Sequence, residues 1–278
     1  PVSGQPIGFS VQSDWKEILN TRSNDKTQFG PNDEIQIFGF HKPFRDADEN
    51  VQFMYKEGDP TTGQKVTYDN GNWNYSPKRF WPKKGVLDFF ASYPYNSVHY
   101  DVGNKRMTYN NNLTQDLLYG LATNRDCASK ETVSIWMVHA LAKVNIIFDK
   151  SLGDIGQVTV SGYKAGHFSP MSNNDGVPVW IIDDDKTSIS VDFRKYEGKV
   201  DEELKNNNSV TVFILPDKIT GLKMWNSVGQ EIDASEEIKK HTFLAGKVYN
   251  LTISKSNGVR KKNTNSRSIA MSVRCVSE

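Results

Sequence analysis

Residues Thr132–Asp149 read TVSIWMVHALAKVNIIFD. In an extended chain, successive side chains point to opposite faces. Read as one strand, the run therefore sets Trp136, Val138, Ala140, Ala142, Val144, Ile146 and Phe148 on one side. Its period of two and its branched and aromatic residues predict strand, not helix.

The same alternation extends outward in both directions. Upstream, NDEIQIFGF carries Ile35, Ile37 and Phe38, and GVLDFFASY sets Leu87, Phe89, Ala91 and Tyr93 opposite Asp88 and Ser92. Downstream follow QVTVSGY, VPVWII, TSISVDF, SVTVFIL, LKMW and KVYNLTIS. Turn chemistry separates them: DNGN, SNNDG, IDDDK, NNNS and LPDK are rich in residues that adopt tight turns. SDWKEIL, NLTQDLLYGLA and DEELK are helix-compatible but short, without a long amphipathic stripe. Many short strands with frequent turns predict an all-β sandwich architecture with few short helices, not a βαβ fold.

The chain has 278 residues, and at about 150 residues per domain that suggests two domains. The polar stretch TNRDCASKET places the boundary near Lys130. The expected division is a first sandwich over 1–130, a second over 131–255, and a polar linker with a terminal strand over 256–278. Hydrophobic residues make up 37% and the net charge is +1, so no global field recruits nucleic acid or an anionic membrane. No apolar run approaches the roughly 18 residues that a membrane-spanning helix needs. The chain starts at Pro1 without a methionine, which reads as a trimmed product.

Catalytic constellations are missing from the sequence, and no enzymatic activity is expected. The histidines (41, 99, 139, 167 and 241) are scattered, with no pair at metal-ligand spacing. There is no GxSxG, P-loop or dinucleotide fingerprint. Asp183–Asp185 lacks the spacing of a calcium loop, and Arg260–Lys262 reads as solubilising linker charge. Cys127 and Cys275 fit no metal pattern, and whether they pair is open.

Three other stretches attract functional readings. The aromatic block Asn72–Tyr95, NWNYSPKRFWPKKGVLDFFASYPY, offers Trp73 and Trp81 as candidates for stacking on sugar rings, or else as the inside of a sandwich. At the N-terminus, IGFSV alternates with Ile7, Phe9 and Val11 on one face, and the polar NTRSNDKTQ sets it apart. At the C-terminus, SIAMSVRCV alternates with Ile269, Met271, Val273 and Cys275, beyond the polar SKSNGVRKKNTNSR. A lone hydrophobic ribbon on a polar tether cannot bury its own apolar face.

FGPNDEIQIFGF, the aromatic block, HALAKVNIIFD and the following VTVSGY together resemble the fimbrillin-like proteins of the Bacteroidales, subunits of type V pili. The resemblance runs from about Ile7 to about Ile253. It implies two tandem transthyretin-like β-sandwich domains, export as a lipoprotein, anchoring at the outer membrane through a lipid on the precursor, and no cofactor. It also implies cleavage by a trypsin-like protease after an arginine behind the first strand. Loss of that strand opens a groove that the C-terminal strand of another subunit fills. On this pattern the cleavable loop lies within 7–28, with Arg22 as the cleavage candidate. Ile7, Phe9 and Val11 form the displaced strand, and Ile269, Met271 and Val273 the donor. The expected function is a surface fimbrial subunit whose partners are other pilin subunits and a host or bacterial surface ligand. The alternative is a surface lipoprotein adhesin or glycan-binding sandwich that does not polymerise.

Overall fold

The computed structural model describes residues 4–13, 28–44, 50–171, 176–193, 209–255 and the backbone of 173–174 and 271–277. The chain forms β1 (Phe9–Ser13), β2 (Glu34–Lys42), β3 (Val51–Met54), β4 (Gln64–Asp69), β5 (Asn72–Asn74) and β6 (Val86–Tyr93). Next come β7 (Val98–Asp101), β8 (Arg106–Asn110), β9 (Leu118–Asp126), β10 (Val133–His139) and β11 (Ala142–Phe148). They are followed by β12 (Ile155–Tyr163), β13 (Ala165–Phe168), β14 (Asn173–Asn174), β15 (Val177–Pro178), β16 (Ile181–Ile182) and β17 (Lys186–Asp192). The last are β18 (Ser209–Ile214), β19 (Gly221–Asn226), β20 (Glu231–Asp233), β21 (Val248–Lys255) and β22 (Met271–Ser277). Among the described residues, helix is limited to α1 (Ser235–Ile238) and a 3-10 turn at Lys150–Leu152. The fold is all-β, as the alternation predicts.

The chain divides into two compact units. The first holds residues 1–110, 117–140 and 166–181; the second holds 111–116, 141–165 and 182–278. The division therefore differs from a single cut near Lys130. TNRDCASKET holds the end of β9 and the turn of a hairpin, in which Asp126 accepts the Ala128 and Ser129 backbone N–H groups at 2.9 and 3.2 Å. The next strand, β10, then pairs antiparallel with β9 inside the first unit.

The first unit is built on a sheet in the order β1-β10-β9-β6-β2-β4-β5, with β3 attached to β2. Its central strands are buried on both faces. Ile35, Ile37, Leu87 and Phe89 face one core, while Phe38, Phe40 and Phe90 are buried on the other face, where Phe38 and Phe40 meet Tyr100 and Phe90 meets Phe40. Polar residues on that second face are therefore buried rather than solvated, and each is bonded, as burial requires. Gln36 donates to Ser92 Oγ and to the Val98 carbonyl, both at 2.7 Å. Asp88 accepts the Asn124 N–H at 2.8 Å and pairs with Lys42 Nζ at 3.2 Å. The sheet β16-β13-β8-β7 supplies Tyr100 and Phe168, and Phe168 meets Tyr119 of β9 edge-on at 4.8 Å.

The second unit packs the sheet β18-β11-β21-β22 and the sheet β17-β12-β19-β20 around one core that includes Val144, Ile146, Val158, Val160, Leu222 and Leu251. Its outward residues pair across strands: Thr159 with Ser190 and Ser161 with Ser188, both at 2.7 Å. Asn145 of β11 donates to Asn250 and accepts from Thr211, each at 2.9 Å.

The Thr132–Asp149 run is two strands, not one, and its phase reverses at the joint. In β10 the buried residues are Val133, Ile135 and Met137, and Trp136 is 52% exposed. In β11 the residues that face the core are Ala142, Val144, Ile146 and Phe148, with Lys143 and Asn145 of the opposite face also buried. Ala140 and Leu141 lie between, both buried, and their backbone bonds leave the strand ladders: Ala140 N–H reaches the Leu117 carbonyl, and the Leu141 carbonyl receives the Gly246 N–H. β10 and β11 lie beside different strands and face different cores, so the inward side changes from odd to even positions and Trp136 faces outward, contrary to the single-strand reading. NLTQDLLYGLA likewise forms a turn and then β9, not helix, because Leu118 to Leu121 pair with β10 and β6. SDWKEIL beyond Ser13, and DEELK, lie outside the described residues.

Candidate functional site

The first strand sits at the edge of the large sheet. β1 runs parallel to β10, with Phe9 opposite Val133 and Ser13 opposite Met137. A parallel neighbour cannot be a hairpin partner. Ile7 is 1% exposed, and Phe9 and Val11 are also buried, in the same cluster as Ile35, Leu87, Phe89 and Ile135. Phe9 meets Phe89 at 5.3 Å and Tyr75 at 5.7 Å, both edge-on.

The aromatic block supplies the other wall of this seat. Ile7 N–H donates to the Arg79 carbonyl at 2.9 Å, and Trp81 N–H donates to the Gln5 carbonyl at 3.1 Å. The Tyr75 hydroxyl donates to the Ile7 carbonyl at 2.8 Å. Burial raises the Tyr75 phenol pKa, which keeps it a donor at neutral pH. Trp73 packs edge-on against Phe29 at 5.0 Å and near Tyr68 at 5.1 Å. Trp73, Tyr75 and Trp81 share the core cluster of Ile7, Phe9 and Val11, and both tryptophans are 7% exposed. In this form neither tryptophan presents a face on which a sugar could stack. Among the described residues, the tryptophan left half-exposed is Trp136.

The remaining sequence candidates are distributed as follows. Arg22 and Ile269 lie outside the described residues. Met271 and Val273 belong to β22, which pairs antiparallel with β21 of its own chain, Val273 opposite Ile253 and Met271 opposite Lys255. Cys127 is a free, buried thiol whose pKa is pushed up to about 11 by burial and by neighbouring Asp126. Among the described residues, no group of three His, Cys, Asp or Glu side chains is placed to hold a metal. The gripping roles of Tyr75 and Arg79 have no signal in the sequence, because a lone bridge between a loop and a terminal strand leaves no periodic trace.

A family model described as fimbrillin-like matches residues 21–270. The chain belongs to the fimbrillin-like family. Among solved structures, this fimbrillin-like chain is similar to a candidate cell adhesion protein from Bacteroides uniformis, with 17% identity and a TM-score of 0.57. That match covers 100% of this chain and 98% of the other. A second candidate cell adhesion protein, from Bacteroides ovatus, aligns at 13% identity with a TM-score of 0.56, covering 99% and 96%. At such identities the likeness concerns the fold. Comparison with curated proteins gives no significant match. Fimbrillin-like membership supports a fimbrial subunit role at the cell surface and assembly with other pilin subunits. The matched stretch leaves out β1 and β22.

Proposed function

We propose that this fimbrillin-like chain is a structural subunit of a surface fimbria that polymerises by protease-triggered donor-strand exchange. One observation carries the reading: β1 and the residues leading into it deliver Ile7, Phe9 and Val11 to the core of the unit, yet the ladder partner of β1 among the described residues is β10 alone. An edge strand outside any hairpin can leave without breaking another pair of strands. Its departure uncovers an apolar slot between β10 and the Tyr75–Trp81 segment, and strand addition is the standard way to fill one. Cleavage after Arg22 would free β1 at its Ser13 end, and the tail carrying Ile269, Met271 and Val273 is the donor. In the single chain that tail strand lies along β21, so donation requires it to leave β21. A lipid on the precursor would hold the first subunit at the outer membrane.

The experiment is to treat the purified protein with a trypsin-like protease and follow it on denaturing gels. Trimming near Arg22 is expected to yield oligomers that survive mild detergent, and truncation after Lys255 to abolish them. Trimmed protein that stays monomeric, or truncated protein that still assembles, refutes the mechanism.

A further inference from the structure

The seat of β1 contains a register mark. Along β10 the ladder repeats every two residues, so a strand sliding by two would meet an equivalent backbone. The other side is not repetitive. There Ile7 gives its N–H to Arg79 and receives the Tyr75 hydroxyl on its carbonyl, while Gln5 receives the Trp81 N–H. Tyr75 has one proton to give. Its contact with the Ile7 carbonyl, 2.8 Å, is shorter than the 3.3 Å to the Arg79 carbonyl, and its oxygen lies 3.4 Å from the Arg79 N–H. The hydroxyl is thus committed to whichever residue holds the Ile7 position.

The two terminal ribbons also align without a gap. Residues 7–13 are IGFSVQS and residues 269–275 are IAMSVRC. Ile, Ser and Val recur at the first, fourth and fifth places; glycine is matched by alanine, Phe by Met, Gln by Arg and Ser by Cys. The seat accepts the differences. A Cβ added at Gly8 would meet Thr132 Oγ1 at 3.6 Å and Cγ2 at 3.9 Å, ordinary contacts that leave room for alanine. Ser13 Oγ bonds the Met137 carbonyl at 3.0 Å, a place a similarly small thiol can take. Methionine adapts readily to an aromatic's pocket and makes favourable sulfur–ring contacts there.

We infer that the tail of a second copy of this chain enters the slot parallel to β10, with Ile269 at the position of Ile7, Met271 at Phe9 and Val273 at Val11. Tyr75 is the residue that fixes this register, through its hydroxyl on the Ile269 carbonyl. This rests on the strand-exchange reading above and adds which copy donates, in what direction and in what frame.

The test uses the full chain with Ser134→Cys and Ser272→Cys in a Cys275→Ser background; Ser134 is exposed and lies opposite Ser10, whose place Ser272 takes. The native Cys127 is buried and does not compete. After protease trimming, a short bifunctional thiol reagent should link position 134 of one copy to position 272 of another. Oligomers linked instead with Ala270→Cys or Arg274→Cys in place of Ser272→Cys overturn the register while leaving strand exchange standing. Absence of oligomers from the unsubstituted chain overturns both. Tyr75→Phe keeps the ring and deletes one hydrogen bond, so its oligomers should lose the inserted strand about two- to twelvefold faster. An unchanged rate, with Tyr75→Phe monomer folded normally, removes Tyr75 from the role.

Discussion

Replacing Phe9 with alanine tests whether β1 is a true part of the first unit's core. The ring is buried and contacts Phe89 at 5.3 Å and Tyr75 at 5.7 Å. Truncating a core phenylalanine costs about 3–5 kcal/mol, and two edge-on aromatic contacts supply about 0.5–1.5 kcal/mol each of that. Because β1 is bonded along β10 on one edge, the loss should appear first as detachment of the strand. The opening equilibrium is expected to shift roughly a hundred- to several-thousand-fold, at about 1.4 kcal/mol per factor of ten. The reporter is the Val133 amide, which donates to the Gly8 carbonyl at 2.8 Å in the seated strand. Hydrogen exchange read by mass spectrometry should show this amide and its β10 neighbours losing protection. A urea titration should show a smaller loss of global stability, because once β1 has left, the rest of the unit no longer senses Phe9. Gln12→Ala, on the exposed side of the same strand, should change stability by less than about 0.5 kcal/mol. If Phe9→Ala leaves Val133 protected and costs less than about 1 kcal/mol, the strand is not held by its buried face. The strand-exchange argument would then lose its driving force.

Other substitutions probe the frame around the slot and the second unit. Gly120→Ala would put a Cβ at 2.4 Å from the Trp136 carbonyl, so the β9–β10 pairing must distort, at a cost of about 1–3 kcal/mol or more in a urea titration. Leu113, fully buried in the second unit's core, should cost about 2–5 kcal/mol on change to alanine, seen as a lower thermal midpoint of that unit. Cys127 has its folded pKa raised from 9.0 to about 11. Above pH 9 the unfolded thiol loses its proton first, so stability is full below pH 9 and declines as pH rises through about 11. The loss is about 2–3 kcal/mol at most, and Cys127→Ala should flatten that part of a stability–pH profile; an unchanged slope refutes the assignment.

Much of the fold can be read directly from the residues. Alternation in QVTVSGY, SVTVFIL and KVYNLTIS predicts strands with one face inward, and β12, β18 and β21 bury every second residue. The central strands of the first unit are less legible. In GVLDFFASY, Asp88 and Ser92 mark a polar face by sequence, but β6 is covered on both sides and their polarity is absorbed by Lys42, Asn124 and Gln36. The terminal ribbon Ile7–Val11 stands out by pattern alone. Its partner does not, because β10 is more than a hundred residues away and the Tyr75–Trp81 wall belongs to a loop. Aromatic density in Asn72–Tyr95 suggests a ligand surface as readily as a core; only the position of β1 shows which rings are covered.

The run Thr132–Asp149 separates the two kinds of information. Its residue types and period of two are local properties, set by backbone stereochemistry and hydrophobicity, and they fix extended structure by themselves. Which side faces inward is not local. Two residues, Ala140 and Leu141, leave the ladders where the chain passes from the first unit to the second, and beyond them a different core lies on the other side, so Trp136 lies outward while Val144 and Ile146 lie inward. Parity is a property of which strands lie alongside. Only the tertiary structure, which puts β1 and β9 beside one half and β18 and β21 beside the other, could decide it.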